Sequence, residues 1–446
     1  MPGLTFFVLL PSMTRQAKQK PELLLPSGNT ESFYAALEAG ADAVYLGAKQ
    51  FNARERAGNF LPAQLKRLVE IAHEYNTSVY LTLNTLVRND ETDELLDTLH
   101  QLEQIKPDAL IIQDWGVYHL VKRYFPSLPL HASTQMANHN SIGSLHAMQC
   151  GIERVIMARE LTLEELRSIM QKNGSETEVF VHGSLCYSFS GMCLFSSYLG
   201  GMSANRGQCK QPCRRIYHGK SNGFLFSLKD NQLIEFIPEF ERMGISSLKI
   251  EGRMKPAEYV YRVGKAYRMA LDDHSRIAEA KEALESDLGR EKTGYFMAGN
   301  VSSSLAKAPV TGKFLGKVIS SDSSGFSFRC KDKLPANSRI RVFTPSKSEH
   351  TTFKIREIEF RDRVCHVKNP PQPAQIGDEV YLSDIPGKSF SSRLSGDLPG
   401  LQTRIPQHKK QKILAGLKLQ NTAKRKGKPR ISVRIDQLAW LPKTDL

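Results

Sequence analysis

The sequence predicts an α/β protein: a TIM-type (β/α)8 barrel, followed by a small β-barrel domain and a basic tail. Eight short, β-rich apolar runs alternate with amphipathic stretches over the first three hundred of 446 residues, a pattern typical of βα units and a parallel sheet. Eight such units over about 250 residues match the size of a TIM barrel. The composition, 40% hydrophobic and 24% charged, excludes collagen-like, coiled-coil and disordered chains.

The barrel is predicted over residues 21–300, after an N-terminal extension of residues 1–20. Its expected strands are 22–25, 43–46, 78–83, 109–112, 128–132, 154–158, 178–181 and 247–250. Helices are expected over 32–39, 61–75, 91–105 and 163–170, each after a cap or turn residue. A doubly wound open sheet is the alternative, but no Gly-x-Gly-x-x-Gly follows the first strand, so the dinucleotide-binding fingerprint is missing.

The residues that follow the predicted strands are unusually polar. In a TIM barrel the carboxyl ends of the strands carry the chemistry, and a rim that mixes guanidinium, imidazole and carboxylate suits a polar or anionic planar substrate. For any single residue the alternative is a helix cap or loop role. The candidate substrate-binding residues are Asn84, His131, Gln135, Arg159, Glu160, Lys249 and Arg253, and the candidates for proton transfer are His182 and Glu251.

Four of the seven cysteines lie close together in the sequence. Cys186, Cys193, Cys209 and Cys213 belong to a Gly- and Ser-rich insert, residues 184–215, after the seventh strand. Four soft thiolates suit either zinc or an iron-sulfur cluster, and the spacing alone leaves both open. The other three cysteines are expected to be small buried hydrophobic residues.

Nearly all the net positive charge lies in the last third of the chain. From Lys307 onward there are 28 Lys or Arg against 12 Asp or Glu. Residues 307–385 read as short strands of a small β-barrel, and residues 386–446 as a basic tail or the start of a further domain. Such charge suits an RNA backbone, although a solvated tail and a purely structural β-domain are the alternatives. The predicted RNA-binding residues are Lys409, Lys410, Lys412, Lys424, Arg425, Lys426, Lys428 and Arg430.

The sequence predicts no membrane contact. Its apolar terminal stretch, Leu4 to Leu10, is far shorter than the ~20 residues that a membrane span needs. An odd number of cysteines without a convincing export signal fits a reducing compartment. The expected location is therefore the cytoplasm.

Several motifs resemble those of the collagenase-like peptidase family of unassigned catalytic type, family U32. The resemblance is strongest in Glu178-Val-Phe-Val-His-Gly-Ser-Leu-Cys186 with Gly191-x-Cys193. Further matching motifs are Glu22-Leu-Leu-Leu-Pro26, His131-Ala-Ser-Thr-Gln135, Ala158-Arg-Glu160, Ser203-Ala-Asn-Arg-Gly207 and Leu248-Lys-Ile-Glu-Gly-Arg253. They extend over residues 22 to about 260. Phe195 departs from the pattern, which has an aliphatic residue there.

The resemblance implies an iron-sulfur enzyme that hydroxylates RNA without molecular oxygen. It implies a 4Fe-4S cluster held by the four clustered cysteines. It also implies a requirement for prephenate, which is the possible source of the hydroxyl group. The subgroup it most resembles forms 5-hydroxycytidine in 23S ribosomal RNA, and a subgroup that hydroxylates a tRNA wobble uridine is the close alternative. A collagenase-like peptidase and a non-catalytic RNA-binding factor with a structural cluster are the other hypotheses.

Overall fold

The computed structural model describes residues 20–55, 57–172, 176–218, 223–285, 287–306, 312–331, 333–335, 337–345, 349–384 and 388–417. The described chain forms a closed parallel barrel with flanking helices and a separate, curled antiparallel sheet. The predicted fold class is thus confirmed.

Eight parallel strands close the barrel. Seven are hydrogen-bonded in chain order, and the eighth pairs with both the first and the seventh. They are β1 (Glu22–Pro26), β2 (Ala43–Gly47), β3 (Ser78–Leu83), β4 (Ala109–Ile112), β5 (Leu130–Ala132), β6 (Arg154–Ile156), β7 (Glu176–Ser184) and β9 (Ser247–Ile250). Each predicted strand is present, because runs of apolar, β-prone residues between turn signals mark buried parallel strands well.

Helices surround the barrel. They are α1 (Thr30–Ala39), α2 (Pro62–Glu74), α3 (Thr92–Ile105), α4 (Trp115–Tyr124), α5 (Ser141–Gln149), α6 (Leu163–Lys172), α8 (Ile237–Met243), α9 (Ala257–Asp272) and α10 (Ile277–Leu284). The four predicted helices correspond to α1, α2, α3 and α6. Their starts follow capping chemistry: the Asn29 side chain accepts a hydrogen bond from the Ser32 amide at the start of α1, which satisfies a backbone donor that the helix itself leaves free.

Side chains alternate between the barrel interior and the helices. Leu24 and Tyr45 belong to the interior cluster, whereas their neighbours Leu23, Leu25 and Val44 pack into the large core beneath the helices. This alternation follows from the two-residue period of a strand. Both faces of each strand are buried, so the strands read as continuous apolar runs.

Two short strands extend the sheet beside the barrel. The strand β8 (Asp230–Gln232) pairs antiparallel with the end of β7, and β10 (Lys292–Thr293) pairs with β8. The segment between β7 and β8, described over residues 185–218 and 223–229, carries a short helix, α7 (Phe195–Gly200). It contains the insert predicted from the sequence, which lies above the carboxyl ends of the strands.

The C-terminal domain is a half-barrel instead of a closed barrel. Its seven antiparallel strands are β11 (Lys313–Ser321), β12 (Gly325–Arg329), β13 (Arg339–Thr344), β14 (Glu349–Lys354), β15 (Glu357–Arg361), β16 (Val364–Lys368) and β17 (Glu379–Asp384). They lie in the order β14-β13-β17-β11-β12-β16-β15 around a small core of their own. The strands β15, β16 and β17 were not predicted, and in β15 three of the five residues are charged.

The described part of the basic tail lies against the barrel helices. Phe390, Ile405 and Ile413 pack into the barrel core, and Gln101 Nε2 donates to the Thr403 carbonyl at 2.6 Å. The segment ends in α11 (Gln407–Leu417). Within the described residues, we find no helix with the length and apolar character that crossing a bilayer requires.

Candidate functional site

A cavity of about 500 Å³ lies at the carboxyl ends of the barrel strands. Residues from the ends of β3, β5, β6 and β9 form its floor and walls, and the insert covers one side. Six of the nine residues predicted from the strand ends line it: Asn84, Gln135, Arg159, Lys249, Glu251 and Arg253. The cavity therefore occupies the position where TIM barrels carry their chemistry.

The four clustered cysteines all line this one cavity, and none of them forms a disulfide. Burial raises the pKa of the Cys186 thiol and of the Cys213 thiol. Cys193 and Cys209 raise both pKa values further, and Cys186 also raises that of Cys213. The four sulfurs are thus near enough to repel one another as thiolates. This donor set fits a metal centre that prefers soft ligands.

The number and chemistry of the sulfurs bear on which centre fits. Among the residues that the structure describes, no three Cys, His, Asp or Glu side chains form a group that could hold a single ion. A tetrahedral zinc site takes four thiolates on one ion, and a four-iron cluster takes one thiolate on each iron. The four cysteines of the cavity supply the right number of soft ligands for either centre.

Cations offset the thiolate charge. Arg159 lowers the pKa of Cys186 and Arg214 lowers that of Cys213, both against the larger effect of burial. Arg214 is anchored by neutral groups, since its Nη2 donates to the Leu185 carbonyl at 2.7 Å. Burial, with the nearby Arg290, lowers the pKa of Arg214 to about 10. Its charge is therefore available to whatever the cysteines bind.

Glu251 is the cavity's acidic side chain among the described lining residues. Its Oε1 lies 3.1 Å from Arg54 Nη2, and its side chain is 15% exposed. Burial raises the pKa of Glu251, but Arg54 and Arg159 outweigh burial and the pKa lies below its ordinary value. Glu251 is therefore a carboxylate at neutral pH and can accept a proton.

Two arginines of the cavity have no carboxylate partner among the described residues. Arg253 donates to the Thr82 hydroxyl at 3.0 Å and also contacts Asn59, and burial lowers its pKa to about 10. Arg159 donates to the Ser184 carbonyl at 2.8 Å and lies over the Phe180 ring at 4.6 Å. Neutral partners hold both guanidinium groups in place and leave their charge for an anionic ligand.

Lys249 reaches the cavity from the barrel interior. Its Nζ lies 2.7 Å from Glu178 Oε1 and 4.4 Å from the centre of the Tyr45 ring. Burial lowers the pKa of Lys249, although Glu178 opposes this effect. Arg154 Nη1 in turn lies 3.5 Å from Glu178. This buried network fixes the ammonium group at the floor of the cavity.

Three predicted residues are absent from the described lining of the cavity. His182 is buried behind it, with Nε2 2.7 Å from Asp287 Oδ2. His131 packs edge-on against the Tyr80 ring at 4.8 Å. Glu160 accepts a hydrogen bond from the Ser190 hydroxyl at 3.1 Å. In this arrangement His182 and His131 support the barrel, and Glu160 holds the insert.

Several cationic residues of the cavity were not predicted from the sequence. Arg54, Lys255 and Arg290 line it. Arg54 lies in the long connection between β2 and α2, seven residues past the end of the strand. Arg290 lies outside the barrel strands altogether, and its side chain forms an ion pair with Asp230 at 3.1 Å. No local sequence signal marks either residue.

The predicted RNA-binding residues of the tail fall into two groups. Lys409 Nζ lies 3.0 Å from Glu103 and Lys410 Nζ 3.2 Å from Asp93, whereas Lys412 is exposed. The other five, Lys424, Arg425, Lys426, Lys428 and Arg430, lie outside the described residues. Their role in RNA binding stays a prediction.

The comparisons with known proteins agree on one family. A family model described as peptidase family U32 matches residues 28–306. The tRNA hydroxylation protein P1 of Bacillus subtilis is 35% identical over 61% of this chain and 68% of its own length. The 23S rRNA 5-hydroxycytidine C2501 synthase of Escherichia coli is 37% identical over 60% of this chain, but only 42% of its own length is matched. A collagenase of Porphyromonas gingivalis is 31% identical over 59% of this chain and 68% of its own.

Proposed function

The chain belongs to peptidase family U32, and from that premise we propose that it is an enzyme that hydroxylates a pyrimidine base of RNA. Relatives at 35% and 37% identity are named for tRNA hydroxylation and for 5-hydroxycytidine synthesis in 23S rRNA. The observation that carries the proposal is the meeting of four cysteines and a set of cations in one cavity at the barrel mouth. A redox centre beside an anion-binding site is what hydroxylation of a nucleotide calls for.

The first candidate product is 5-hydroxycytidine in 23S ribosomal RNA, formed in the cytoplasm. Two sequence motifs of this chain support this choice, namely His131 to Gln135 and Ser203 to Gly207. A wobble uridine of tRNA is the second candidate. It is favoured by length, because the match spans 68% of the tRNA hydroxylation protein and 42% of the 23S rRNA enzyme.

Cys186, Cys193, Cys209 and Cys213 are proposed to hold a 4Fe-4S cluster. Such a cluster supplies one-electron chemistry when bound. Arg159 and Arg214 favour its formation because they stabilise the thiolates that ligate iron. Their neutral anchors keep them directed at the cysteines.

Prephenate is proposed as the hydroxyl source. It is a dicarboxylate, and Arg159, Arg253 and Lys255 line the cavity without forming an ion pair with any described carboxylate. Guanidinium groups bind carboxylates through paired hydrogen bonds. These residues would bind and orient the anion beside the cysteines.

Glu251 is the proposed acceptor of the proton that leaves the base. It lines the cavity, and Arg54 keeps it ionised. His182, the other sequence-based candidate, has its Nε2 committed to Asp287. We therefore assign proton transfer to Glu251 and a positioning role to His182.

Deletion of the gene, followed by mass spectrometry of nucleosides from 23S rRNA and tRNA, tests the proposed function. Loss of 5-hydroxycytidine from 23S rRNA supports the first candidate, and loss of the hydroxylated wobble uridine supports the second. Complementation with Cys186→Ser is expected to fail and complementation with Cys150→Ser to succeed, since Cys150 lies away from the cavity at the end of α5. Unchanged nucleosides in both RNAs refute the proposal.

A peptidase is the competing function, and the family name and the relative named collagenase favour it. A cysteine nucleophile needs a base within hydrogen-bond reach, and no histidine is among the described residues that line the cavity. A non-catalytic RNA-binding factor is the third hypothesis. Gelatin cleavage that Cys186→Ser abolishes at unchanged metal content would favour the peptidase, and RNA binding without modification would favour the factor.

A further inference from the structure

The insert exposes apolar and aromatic side chains at the rim of the cavity. Tyr198 is 86% exposed, Leu194 68%, Met192 64% and Phe189 56%. Phe189 also lines the cavity itself, and Met254 lines it from the end of β9 at 58% exposure. Single exposed apolar residues are ordinary, but a cluster of them marks an interaction surface. We call this cluster the rim.

The exposure of the rim does not result from a loosely held segment. The helix α7 is anchored on its inner side: the Ser196 hydroxyl accepts a hydrogen bond from the Lys210 amide at 3.0 Å, and the Phe195 ring stacks on Tyr217 at 6.1 Å. Leu194 and Tyr198 are four residues apart and thus share the opposite, outer side. The fold therefore holds Tyr198 outward on a fixed helix.

The charge around the rim indicates what it binds. From Val179 to Lys229 the chain contains six Lys or Arg and no Asp or Glu. Lys210 and Arg215 are exposed and have no ion pair with any side chain that the structure describes. A protein-binding surface has no need to exclude acidic residues, whereas a surface for a polyanion does.

Exposed aromatic rings between uncompensated cations are the combination that binds single-stranded nucleic acid. Bases stack on the rings, and the backbone phosphates contact Lys and Arg. A duplex keeps its bases stacked on each other and cannot use such rings. The rim therefore distinguishes unpaired from paired RNA.

We propose that the rim is the docking surface for unpaired RNA nucleotides that flank the target base, with bases stacked on Tyr198 and Phe189 and phosphates held by Lys210 and Arg215. This inference rests on the proposed function and makes the substrate of that site more specific. The target base then lies in a loop, and the rim holds its neighbours while the base enters the cavity.

Fluorescence anisotropy on the purified full chain tests the proposal, with a labelled hairpin that carries an unpaired loop and a fully paired duplex of equal length as probes. The wild-type chain is expected to prefer the hairpin. Tyr198→Ala is expected to weaken hairpin binding by about 5- to 100-fold and leave duplex binding unchanged, while Tyr198→Phe keeps the affinity. Ile376→Ala is the matched control, because Ile376 is 72% exposed but lies in the half-barrel.

Equal hairpin affinity of Tyr198→Ala and wild type overturns the inference, and so does equal wild-type affinity for hairpin and duplex. In the first case a protein partner becomes the occupant of the rim. The proposed function can fail separately. If hairpin binding depends on Tyr198 but deletion of the gene leaves the RNA nucleosides unchanged, the docking surface is supported and the hydroxylase is rejected. Circular dichroism confirms that each variant is folded.

Discussion

Arg54 and Glu251 form an ion pair of 3.1 Å that joins the connection after β2 to the end of β9. Both groups line the cavity. The pair keeps Glu251 ionised, because the attraction of Arg54 outweighs the cost of burying a carboxylate.

We expect Glu251→Gln to reduce hydroxylation by about 100-fold or more, since the loss of a positioned base typically costs 10² to 10⁴ in rate. The amide keeps the shape and the contact with Arg54 but accepts no proton. Nucleoside mass spectrometry after complementation measures the effect. Glu258→Gln on α9 is the control, and wild-type levels of modification with Glu251→Gln would exclude Glu251 as the base.

The metal content is predicted to depend on the four clustered cysteines alone. Anaerobically purified wild-type protein should contain about four iron and four sulfide per chain. Cys213→Ser should lose most of both, whereas Cys150→Ser should retain them. Elemental analysis and acid-labile sulfide measurement decide this. About one zinc per chain, with no sulfide, would contradict the cluster and favour a zinc site.

Stability should fall as the pH falls from about 7 to about 4. Burial lowers the pKa of His182 below 6.5, and His182 and Lys292 together hold the pKa of Asp287 below 3.8 despite burial. The unfolded chain therefore binds more protons than the folded chain, at His182 as the pH falls through 6.5 and at Asp287 as it approaches 3.8. This difference lowers the stability as protons are added. Urea unfolding between pH 4 and pH 8 measures this trend, and a flat profile would contradict it.

Removal of the Asp287 carboxylate should destabilise the protein strongly. Asp287 lies 2.7 Å from His182 and 2.5 Å from Lys292, and its side chain is 3% exposed. Asp287→Ala leaves the buried His182 ring without its hydrogen-bond partner and the partly exposed Lys292 without its counter-charge. Loss of the partner of a buried polar group typically costs about 1–3 kcal/mol. The exposed Asp397→Ala serves as control. A loss below about 1 kcal/mol would show that the network contributes little.

The tail lysines are predicted to separate into stabilising and RNA-binding residues. Lys409 pairs with Glu103 and lies over the Phe125 ring at 4.6 Å, so Lys409→Ala should lower the melting temperature. Lys412 is exposed, so Lys412→Ala should leave the melting temperature unchanged and reduce the salt dependence of RNA binding by about one phosphate contact. Binding titrations at several salt concentrations test both, and the reverse assignment would refute the prediction.

The tail shows how a charge pattern misleads when its surroundings are unknown. A run of lysines with no Asp or Glu predicts a segment that is free to bind a polyanion. Asp93 and Glu103 lie about three hundred positions earlier in the chain, on α3, and nothing near Lys409 in the sequence points to them. The half-barrel shows the same limit. The strand β15 alternates charged and apolar residues, and only its pairing with β16 reveals the small face that the two strands bury.

The sequence by itself determined the barrel, its eight strands, most of the strand-end residues and the four cysteines, because periodicity and residue chemistry are local properties of the chain. Only the tertiary structure decided that Arg54 and Arg290 reach the cavity, that His182 lies behind it, and that Tyr198 points outward. Those facts depend on contacts between segments far apart in the chain, which the burial of the barrel core brings together and no local pattern encodes.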